Sequence, residues 1–288
     1  MHLKYNRATM QIATNYHMRN TILRSNNYLM ENEDECLRMD IKTDFVRLEE
    51  QALWAGLKSG MSVADIGCGS GITSSFLKKI VGENGNVTGF DSSMDRINYA
   101  KKTYGEKDLE FINFDMNKSL EGLQKFDFIW VRFFLEYHKN QSFKIVEKLT
   151  KLLNPGGIIC LIDLDHNCLN HYGLSDRLEK AIINISNILE NEGDFDPYIG
   201  RKLYSFLYNL KLKNIAVDMK AHHLIYGELS QVDDYNWLKK IEIVAKRSNY
   251  SFKEYSNGYE GFLSEFKSFF KDPGRFTYTP IISCRANI

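Results

Sequence analysis

Three glycines at alternate positions, Gly67, Gly69 and Gly71, most constrain what this chain can fold into. A short apolar strand is predicted over residues 62–66 before them, and helical spacing follows over residues 73–81. Together the strand, the glycine loop and the helix form the first half of a nucleotide-binding βαβ unit. Such a loop and the free N–H groups at the start of its helix favour a ligand that approaches the backbone closely.

The spacing of the glycines distinguishes between classes of nucleotide-binding protein. Dinucleotide-binding proteins carry G-x-G-x-x-G and P-loop proteins carry G-x-x-x-x-G-K-[ST], whereas this loop reads D-x-G-x-G-x-G. A second strand, predicted over residues 86–90, ends at Asp91. An acidic residue about 20 residues beyond the glycines can bind both hydroxyls of a ribose. A tight turn that binds nothing remains the alternative for the loop alone.

These residues resemble the first motif of the class I S-adenosylmethionine (SAM)-dependent methyltransferases. A second stretch is similar to the same family: an apolar strand over 126–131, R-x-x-L-x-x-H over 132–138, a helix over 140–153, L-x-P-G-G and a strand over 158–163. The likeness is greatest to the subgroup of ubiquinone/menaquinone-type and natural-product methyltransferases, and it covers about residues 60–165. It implies an α/β, Rossmann-like, doubly wound sheet of seven strands with the last antiparallel. It also implies SAM as cofactor and S-adenosylhomocysteine as product.

The resemblance assigns cofactor contacts to positions of this sequence. The glycine loop would back the methionine moiety, Asp91 would hold the ribose, and Asp115 with Met116 would hold the adenine, although Asp115 could instead be a solvated turn residue. Arg132 would lie near the methionine end of the pocket. The residues expected at the cofactor are Asp65, Gly67, Cys68, Gly69, Gly71, Asp91, Ser92, Met94, Asp115, Met116, Asn117 and Arg132.

Catalysis of methyl transfer by in-line displacement requires positioning and exclusion of water more than a nucleophilic triad. An oxygen or nitrogen acceptor can also need a general base. His138, after the fourth strand, is the first candidate because open α/β sheets bind ligands at that edge and histidine titrates near neutrality. Asp165, His166 and His171, after the fifth strand, are the next. Residues of these types are more often ordinary hydrogen-bonding loop or helix residues, and that alternative stays open for each of them.

Helical segments frame the predicted sheet. Residues 1–59 are predicted as an N-terminal helical cap, with a helix over 31–54 that either folds over the cofactor or simply packs on the sheet. Residues 60–288 are predicted as the methyltransferase domain, with helical insertions at about 166–212 and 228–271. The last two strands are predicted over 214–225 and 276–286.

Composition narrows the class of partner. The 288 residues carry 37 Lys and Arg against 37 Asp and Glu, a balance that argues against nucleic acid as the main partner. Five scattered cysteines lack metal-ligand spacing and favour a reducing compartment. We therefore expect a cytoplasmic monomer or homodimer that binds no metal, has no membrane partner and methylates a small molecule; the basic, acid-poor first 30 residues keep a targeting segment as the alternative. Other open alternatives are an RNA or protein methyltransferase and a non-catalytic SAM-binding scaffold.

Overall fold

A sheet of eight strands forms the centre of the part of the chain, residues 35–288, that the computed structural model describes. The strands are β1 (Ser62–Ile66), β2 (Asn86–Asp91), β3 (Leu109–Asn113), β4 (Phe126–Arg132), β5 (Leu153–Leu164), β6 (His171–Tyr172), β7 (Lys213–Tyr226) and β8 (Phe276–Asn287). The first five are parallel in the order β3-β2-β1-β4-β5. β8 runs antiparallel to β5, and β7 runs antiparallel to β8.

Alternation along β4 shows how the sheet separates two layers of core. Phe128 and Trp130 lie in one buried cluster, whereas Ile129 and Val131 lie in the other, because successive side chains of a strand point to opposite faces. All four are almost completely inaccessible to solvent, as expected for a parallel strand covered by helices on both faces. The strand order reverses between β1 and β4, and such a switch point opens a crevice at the carboxyl ends of the strands.

Helices cover both faces of the sheet and extend beyond it. They are α1 (Glu35–Lys42), α2 (Phe45–Ala55), α3 (Ile72–Val81), α4 (Met94–Tyr104), α5 (Ser142–Thr150), α6 (Asp176–Glu192), α7 (Leu203–Asn209), α8 (Gln231–Arg247) and α9 (Gly258–Lys271), with 3-10 turns at Leu135–Tyr137 and Ile199–Lys202. A third, largely aromatic core joins α6, α8 and α9 and contains Trp237, Phe262, Phe266 and Phe270. This core fixes α8, one face of which lines the site described below. None of the helices within residues 35–288 combines the length and apolarity needed to cross a membrane.

The predicted Rossmann-like α/β fold is confirmed, with three corrections. The sheet has eight strands because His171 and Tyr172, predicted inside a helical insertion, pair with Thr277 and Phe276 at the start of β8. The single helix predicted over 31–54 is two helices in its described part, because Asp44 adopts an extended conformation and caps α2 through the N–H groups of its first residues. The last part of the helical insertion predicted at about 166–212 is a 3-10 turn followed by the short helix α7 and not one continuous helix. The beginning of the predicted cap lies outside the described residues.

Candidate active site

The carboxyl ends of β1, β2 and β4 open into a cavity of about 820 Å³, which falls within the range of about 300–1,000 Å³ typical of small-molecule sites. Its walls come from the glycine loop, the segment after β4, α1, β7 and α8. Most of the predicted cofactor residues line it: Asp65, Gly67, Cys68, Gly69, Asp91, Ser92, Asp115, Asn117 and Arg132. The cavity therefore brings together residues that the sequence separates by more than 60 positions.

The glycine loop has a backbone that other residues rarely adopt. Gly67, Gly69 and Gly71 have φ angles of +72°, +56° and +87°, in the left-handed region where a side chain on Cβ is unfavourable. The N–H groups of Gly67 and Cys68 both donate to the carbonyl of Phe90, at 2.8 and 3.0 Å, which ties the loop to β2. Gly71 caps the N-terminus of α3 rather than lining the cavity. The loop is thus a fixed wall of the cavity.

Two apolar side chains cover this loop. A Cβ atom added to Gly67 would lie 2.5 Å from the ring of Phe134, and one added to Gly69 would lie 2.6 Å from the sulfur of Met39. Met39 belongs to α1, and its neighbour Asp40 accepts hydrogen bonds from Ser70 at 2.6 Å and from two tyrosines of α4 at 2.8 Å. The first described helix therefore lies directly against the glycine loop.

Asp91 ends β2 and is fixed by three groups. Its Oδ2 accepts the N–H of Gly69 at 3.0 Å, while Oδ1 accepts the N–H of Ser93 at 2.9 Å and pairs with Arg96 at 3.0 Å. The side chains of Asp91 and Arg96 are both buried. A carboxylate offers about four acceptor positions, so Oδ2 retains capacity for a hydroxyl donor in the cavity that Asp91 lines.

Asp65, at the end of β1, is a buried carboxyl group that accepts a hydrogen bond from the hydroxyl of Ser74 at 2.6 Å. Burial raises the pKa of Asp65 to about 7, against the lowering effects of Ser74 and the positive charge of Arg132. A group with this pKa changes its charge near physiological pH.

The adenine side of the predicted site is only partly as expected. Asp115 and Asn117 line the cavity, and Asp115 accepts both the backbone and the side-chain amide of Asn117 within a turn, at 2.9 and 3.0 Å. Met116, by contrast, is buried in the core beneath β4, and Met94 is 54% exposed on the surface. Neither methionine lines the cavity.

The candidate bases are separated by the structure. His138 lines the cavity with its ring 4.4 Å from that of Phe134, and burial lowers its pKa while Asp194, Asp115 and Asp91 act to raise it. Three aspartates, of which Asp115 and Asp91 are predicted cofactor residues, therefore act on the charge of His138.

The other three candidates lie outside the cavity. Asp165 forms a bidentate ion pair with Arg201 at 2.8 and 2.9 Å, and the ring of His166 packs edge-on against Tyr198. His171 bonds the hydroxyl of Thr277 at 2.8 Å and sits among aromatic rings of the third core. The chain after β5 is drawn along β8, where the N–H of Asp165 donates to the Pro280 carbonyl, and this carries all three away from the cavity.

Phe133 is the centre of a group of residues that the sequence did not reveal. It is the first residue after β4 and has a φ of +55°, an unusual conformation for a bulky side chain. Its ring lies 4.1 Å from the guanidinium carbon of Arg132, 5.7 Å from Nζ of Lys42 and 4.9 Å from the ring of His222. Residues from β4, α1 and β7 meet at this ring.

His222 and His223 form the β7 wall, with ring centroids 4.2 Å apart. Burial lowers the pKa of each well below its ordinary value, and the positive charges of Lys42 and Lys240 lower it further. Both imidazoles are consequently neutral near physiological pH. Two adjacent histidines in an apolar strand were the one signal for them in the sequence.

A hydrogen-bonded chain of side chains completes this part of the cavity. Nζ of Lys240, on α8, donates to Oδ1 of Asn167 at 2.6 Å, and Nδ2 of Asn167 donates to Glu136 at 2.6 Å. Burial raises the pKa of Glu136 despite the nearby positive charges of Lys240 and Lys42. The neighbouring buried carboxyl of Asp163 also has a raised pKa, chiefly through burial and then through Glu136.

Comparison with known protein families identifies the family of the chain that forms this cavity. A sequence profile of a family described as "Methyltransferase domain" matches residues 57–222, more than half of the chain. The chain belongs to this methyltransferase family. It is a class I, SAM-dependent methyltransferase domain, as the two sequence motifs predicted.

Relatives of this methyltransferase include quinone-modifying enzymes. The chain is 26% identical over 133 residues to the demethylmenaquinone methyltransferase of Staphylococcus aureus, a match covering 43% of this chain and 55% of that protein. It is 29% identical over 143 residues to the ubiquinone biosynthesis O-methyltransferase of Colwellia psychrerythraea, covering 48% and 55%. The methyltransferase thus spans about half the length of the curated relatives it matches.

Solved structures share the fold of this methyltransferase. The YcgJ protein of Bacillus subtilis superposes with a TM-score of 0.54 at 13% identity, covering 84% of this chain and 98% of that one. Coclaurine N-methyltransferase bound to N-methylheliamine and S-adenosylhomocysteine superposes with a TM-score of 0.50 at 18% identity, covering 84% and 72%. The [4+2]-cyclase SpnF gives a TM-score of 0.50 at 15% identity, covering 85% and 82%. The fold alone therefore does not name the reaction.

The residues present in the methyltransferase fit SAM. Asp91 retains an acceptor position for a ribose hydroxyl, and the glycine loop leaves no room for side chains between its backbone and its apolar cover. Asp65, Asp91 and Asp115 offer negative charge to a cofactor that carries a sulfonium and an ammonium group. Arg132, a cation, lines the same cavity.

Proposed function

We propose that the protein transfers a methyl group from SAM to a small-molecule acceptor by in-line displacement. The observation that carries this proposal is the single cavity of about 820 Å³ that contains both the cofactor residues and the cluster around Phe133. A cavity shared by two ligands holds the reacting atoms in line and close together, which is most of what this reaction requires. Bound SAM would supply the activated methyl group.

The side chains of the cavity take separate roles in this proposal. Asp91 binds the ribose and Asp65 attracts the ammonium group of the cofactor, with Asp115 at the adenine. Phe133 and Phe134 close the space beyond β4 and exclude water from the reacting atoms. Arg132 pairs with the cofactor carboxylate.

We assign the general base, for acceptors that lose a proton, to His222 and keep His138 as the alternative. The surroundings of the two histidines support this choice: the negative charges of Asp194, Asp115 and Asp91 act on His138, whereas the ring of His222 lies 4.9 Å from that of Phe133, which Lys42 of α1 also contacts. A neutral imidazole can accept a proton, and the lowered pKa of His222 keeps it neutral.

We also propose that the described helices before β1 act as a cap over residues 60–288, and that the segments 166–212 and 228–271 are insertions that shape the acceptor side. The contact of Met39 with Gly69 supports a covering role for α1. Cys36, Cys68, Cys160, Cys168 and Cys284 form no disulfide with one another in the structure, which is consistent with a reducing compartment such as the cytoplasm.

Titration calorimetry of the full chain with SAM, S-adenosylhomocysteine and NAD tests the cofactor. We expect micromolar binding of the first two, about −8 kcal/mol, and none of NAD; binding of NAD alone would contradict the proposal. A screen with methyl-labelled SAM then tests the acceptor, using small molecules, RNA and protein fractions in parallel. Label in RNA or protein would favour those substrates, and cofactor binding without transfer to any fraction would favour a scaffold.

A further inference from the structure

The cluster around Phe133 carries positive charge for which the described part of the chain supplies no ion-pair partner. Arg132, Lys42 and Lys240 all line the cavity. Arg132 donates to the amide oxygen of Gln51 at 3.2 Å and Lys240 to that of Asn167 at 2.6 Å. Lys42 has its ammonium group over the ring of Phe133. Within residues 35–288, none of these three cations lies within ion-pair distance of a carboxylate.

This arrangement is unfavourable for the protein alone. Burial lowers the pKa of Lys42 well below its ordinary value, and the charges of Arg38, Lys240 and Arg132 lower it further, against the opposite effect of Glu35. Glu35 is itself paired with Arg38 at 2.6 Å. Unpaired charges in partly desolvated sites destabilise a fold. A bound anion would remove this cost.

The cofactor can supply an anionic partner for only one of these three cations. SAM carries a single carboxylate, for which Arg132 suffices, and its sulfonium and ammonium groups are positive. The carboxylates of Asp65, Asp91 and Asp115 belong to the other half of the cavity. Lys42 and Lys240 come from α1 and α8, and within residues 35–288 neither has a carboxylate at ion-pair distance that the cofactor would leave in place as its partner.

We infer that the methyl acceptor carries an anionic group, a carboxylate or a phosphate, that Lys42 and Lys240 bind. This inference rests on the proposed function, and it names the substrate class for the same cavity. Lys42 offers three donors, none of which is used in a hydrogen bond within the described residues, and Lys240 is held in place through Asn167 and Glu136. Ammonium groups bind such anions through short, charge-assisted hydrogen bonds. Neutral His222, beside the same aromatic ring, leaves the positive charge to the two lysines.

Thermal unfolding of the full chain with inorganic phosphate or acetate tests the inference, with chloride at matched ionic strength as reference. Each anion is titrated with and without saturating S-adenosylhomocysteine. We expect a saturable rise in Tm for the wild type in the presence of S-adenosylhomocysteine, and the anion that acts at lower concentration indicates a phosphate or a carboxylate acceptor. Lys42→Gln should weaken the apparent affinity for the anion about tenfold or more, and Lys42→Arg should restore it.

Lys220→Gln is the matched control, because Lys220 is an exposed lysine whose partner, Glu50, lies on the surface. It should behave as the wild type. Equal anion effects in wild type and Lys42→Gln, or no anion effect at all, would overturn the inference. A second result would also overturn the inference: Lys42→Gln loses affinity for S-adenosylhomocysteine, and S-adenosylhomocysteine displaces the anion from the wild type. Lys42 would then bind the carboxylate of the cofactor. If S-adenosylhomocysteine does not bind the wild type, the proposed function fails, and the titration without it still decides whether Lys42 binds an anion.

Discussion

The two halves of the cavity are built in different ways. The cofactor half comes from one continuous βαβ stretch, in which the glycine loop, Asp91 and Asp115 each follow a parallel strand. The acceptor half is assembled from α1, the segment after β4, β7 and α8, whose residues Lys42 and Lys240 lie almost 200 positions apart. The difference teaches that the proposed cofactor site is a local property of the chain, whereas the proposed acceptor site is a property of its tertiary packing.

The two halves also differ in charge. Burial lowers the pKa of both histidines. The negative charges of three aspartates act to raise the pKa of His138, whereas the positive charges of Arg132, Lys42 and Lys240 lower that of His222 further. The charge around the two histidines therefore has opposite signs. Variants that separate cofactor affinity from turnover test this division directly.

The largest expected effect is on turnover. His222→Gln should slow methyl transfer to an acceptor found in the screen by about 100-fold or more, the usual contribution of a general base, while affinity for S-adenosylhomocysteine stays near that of the wild type. His138→Gln is the matched control and should slow the reaction less than tenfold. The reverse result, measured by single-turnover kinetics, would return the catalytic role to His138.

The next effect is on cofactor affinity. Asp91→Asn should weaken binding of S-adenosylhomocysteine by roughly 100-fold, since charged hydrogen bonds to the ribose are lost. The variant also leaves Arg96 buried without its ion-pair partner, so a lower Tm is expected. Asp91→Asn combined with Arg96→Met should recover stability without recovering affinity by calorimetry. Recovery of both would show that the effect of Asp91 was on the fold alone.

A smaller effect is expected on the pH dependence of cofactor binding. Because burial raises the pKa of Asp65 to about 7, the ionised form that attracts the cofactor ammonium predominates only above that pH. Affinity for SAM should therefore rise as pH increases through about 7, by at most tenfold per pH unit. Asp65→Asn should remove this dependence, and a wild-type affinity that is flat across this pH range would contradict the assignment.

Asp65 should affect stability with the opposite sign. A carboxyl group whose pKa is raised in the folded state contributes stability that is fully present below its unfolded pKa and is lost as pH rises through about 7. Chemical denaturation of the cofactor-free protein should show Asp65→Asn gaining stability relative to the wild type only as pH rises. A gain that is the same at every pH would point to packing instead.

The smallest effect is on the stability of the acceptor half. The lowered pKa of Lys42 means that its charged form is disfavoured by folding, a penalty present below the folded-state pKa and lost as pH rises towards 10.5. Lys42→Gln should thus leave Tm near neutral pH unchanged or raise it by up to about 4 °C, the shift that about 1 kcal/mol produces in a chain of this size. A clear fall in Tm would show that Lys42 holds the fold together and would weaken its role in binding.

The sequence predicted the fold, and it named most of the residues that line the proposed cofactor half, because the determinants of both are local. The glycine spacing and the short strands fix a βαβ unit without reference to distant residues, and the confirmed sheet follows from it. The same reasoning could not find His222 or Lys240, since which strand or helix reaches a cavity depends on the long-range packing of β7 against β8 and of α8 on the aromatic core. The sequence favoured Asp165 and His166 as candidate bases because both follow a strand at the edge where ligands bind. It did not indicate that Asp165 pairs with Arg201 or that the ring of His166 packs against Tyr198.

The short helix α1 touches both halves: Met39 and Asp40 contact the glycine loop, while Arg38 reaches Asn236 on α8 at 2.7 Å and Lys42 lies at the ring of Phe133. One helix thus forms a wall of both proposed binding sites, so a displacement that admits one ligand also loosens the other. Entry and exit of the two ligands are therefore coupled rather than independent. We expect the reaction to follow an ordered sequence, with the cofactor arriving first and its demethylated product leaving last, and with departure of that product setting the pace of the cycle.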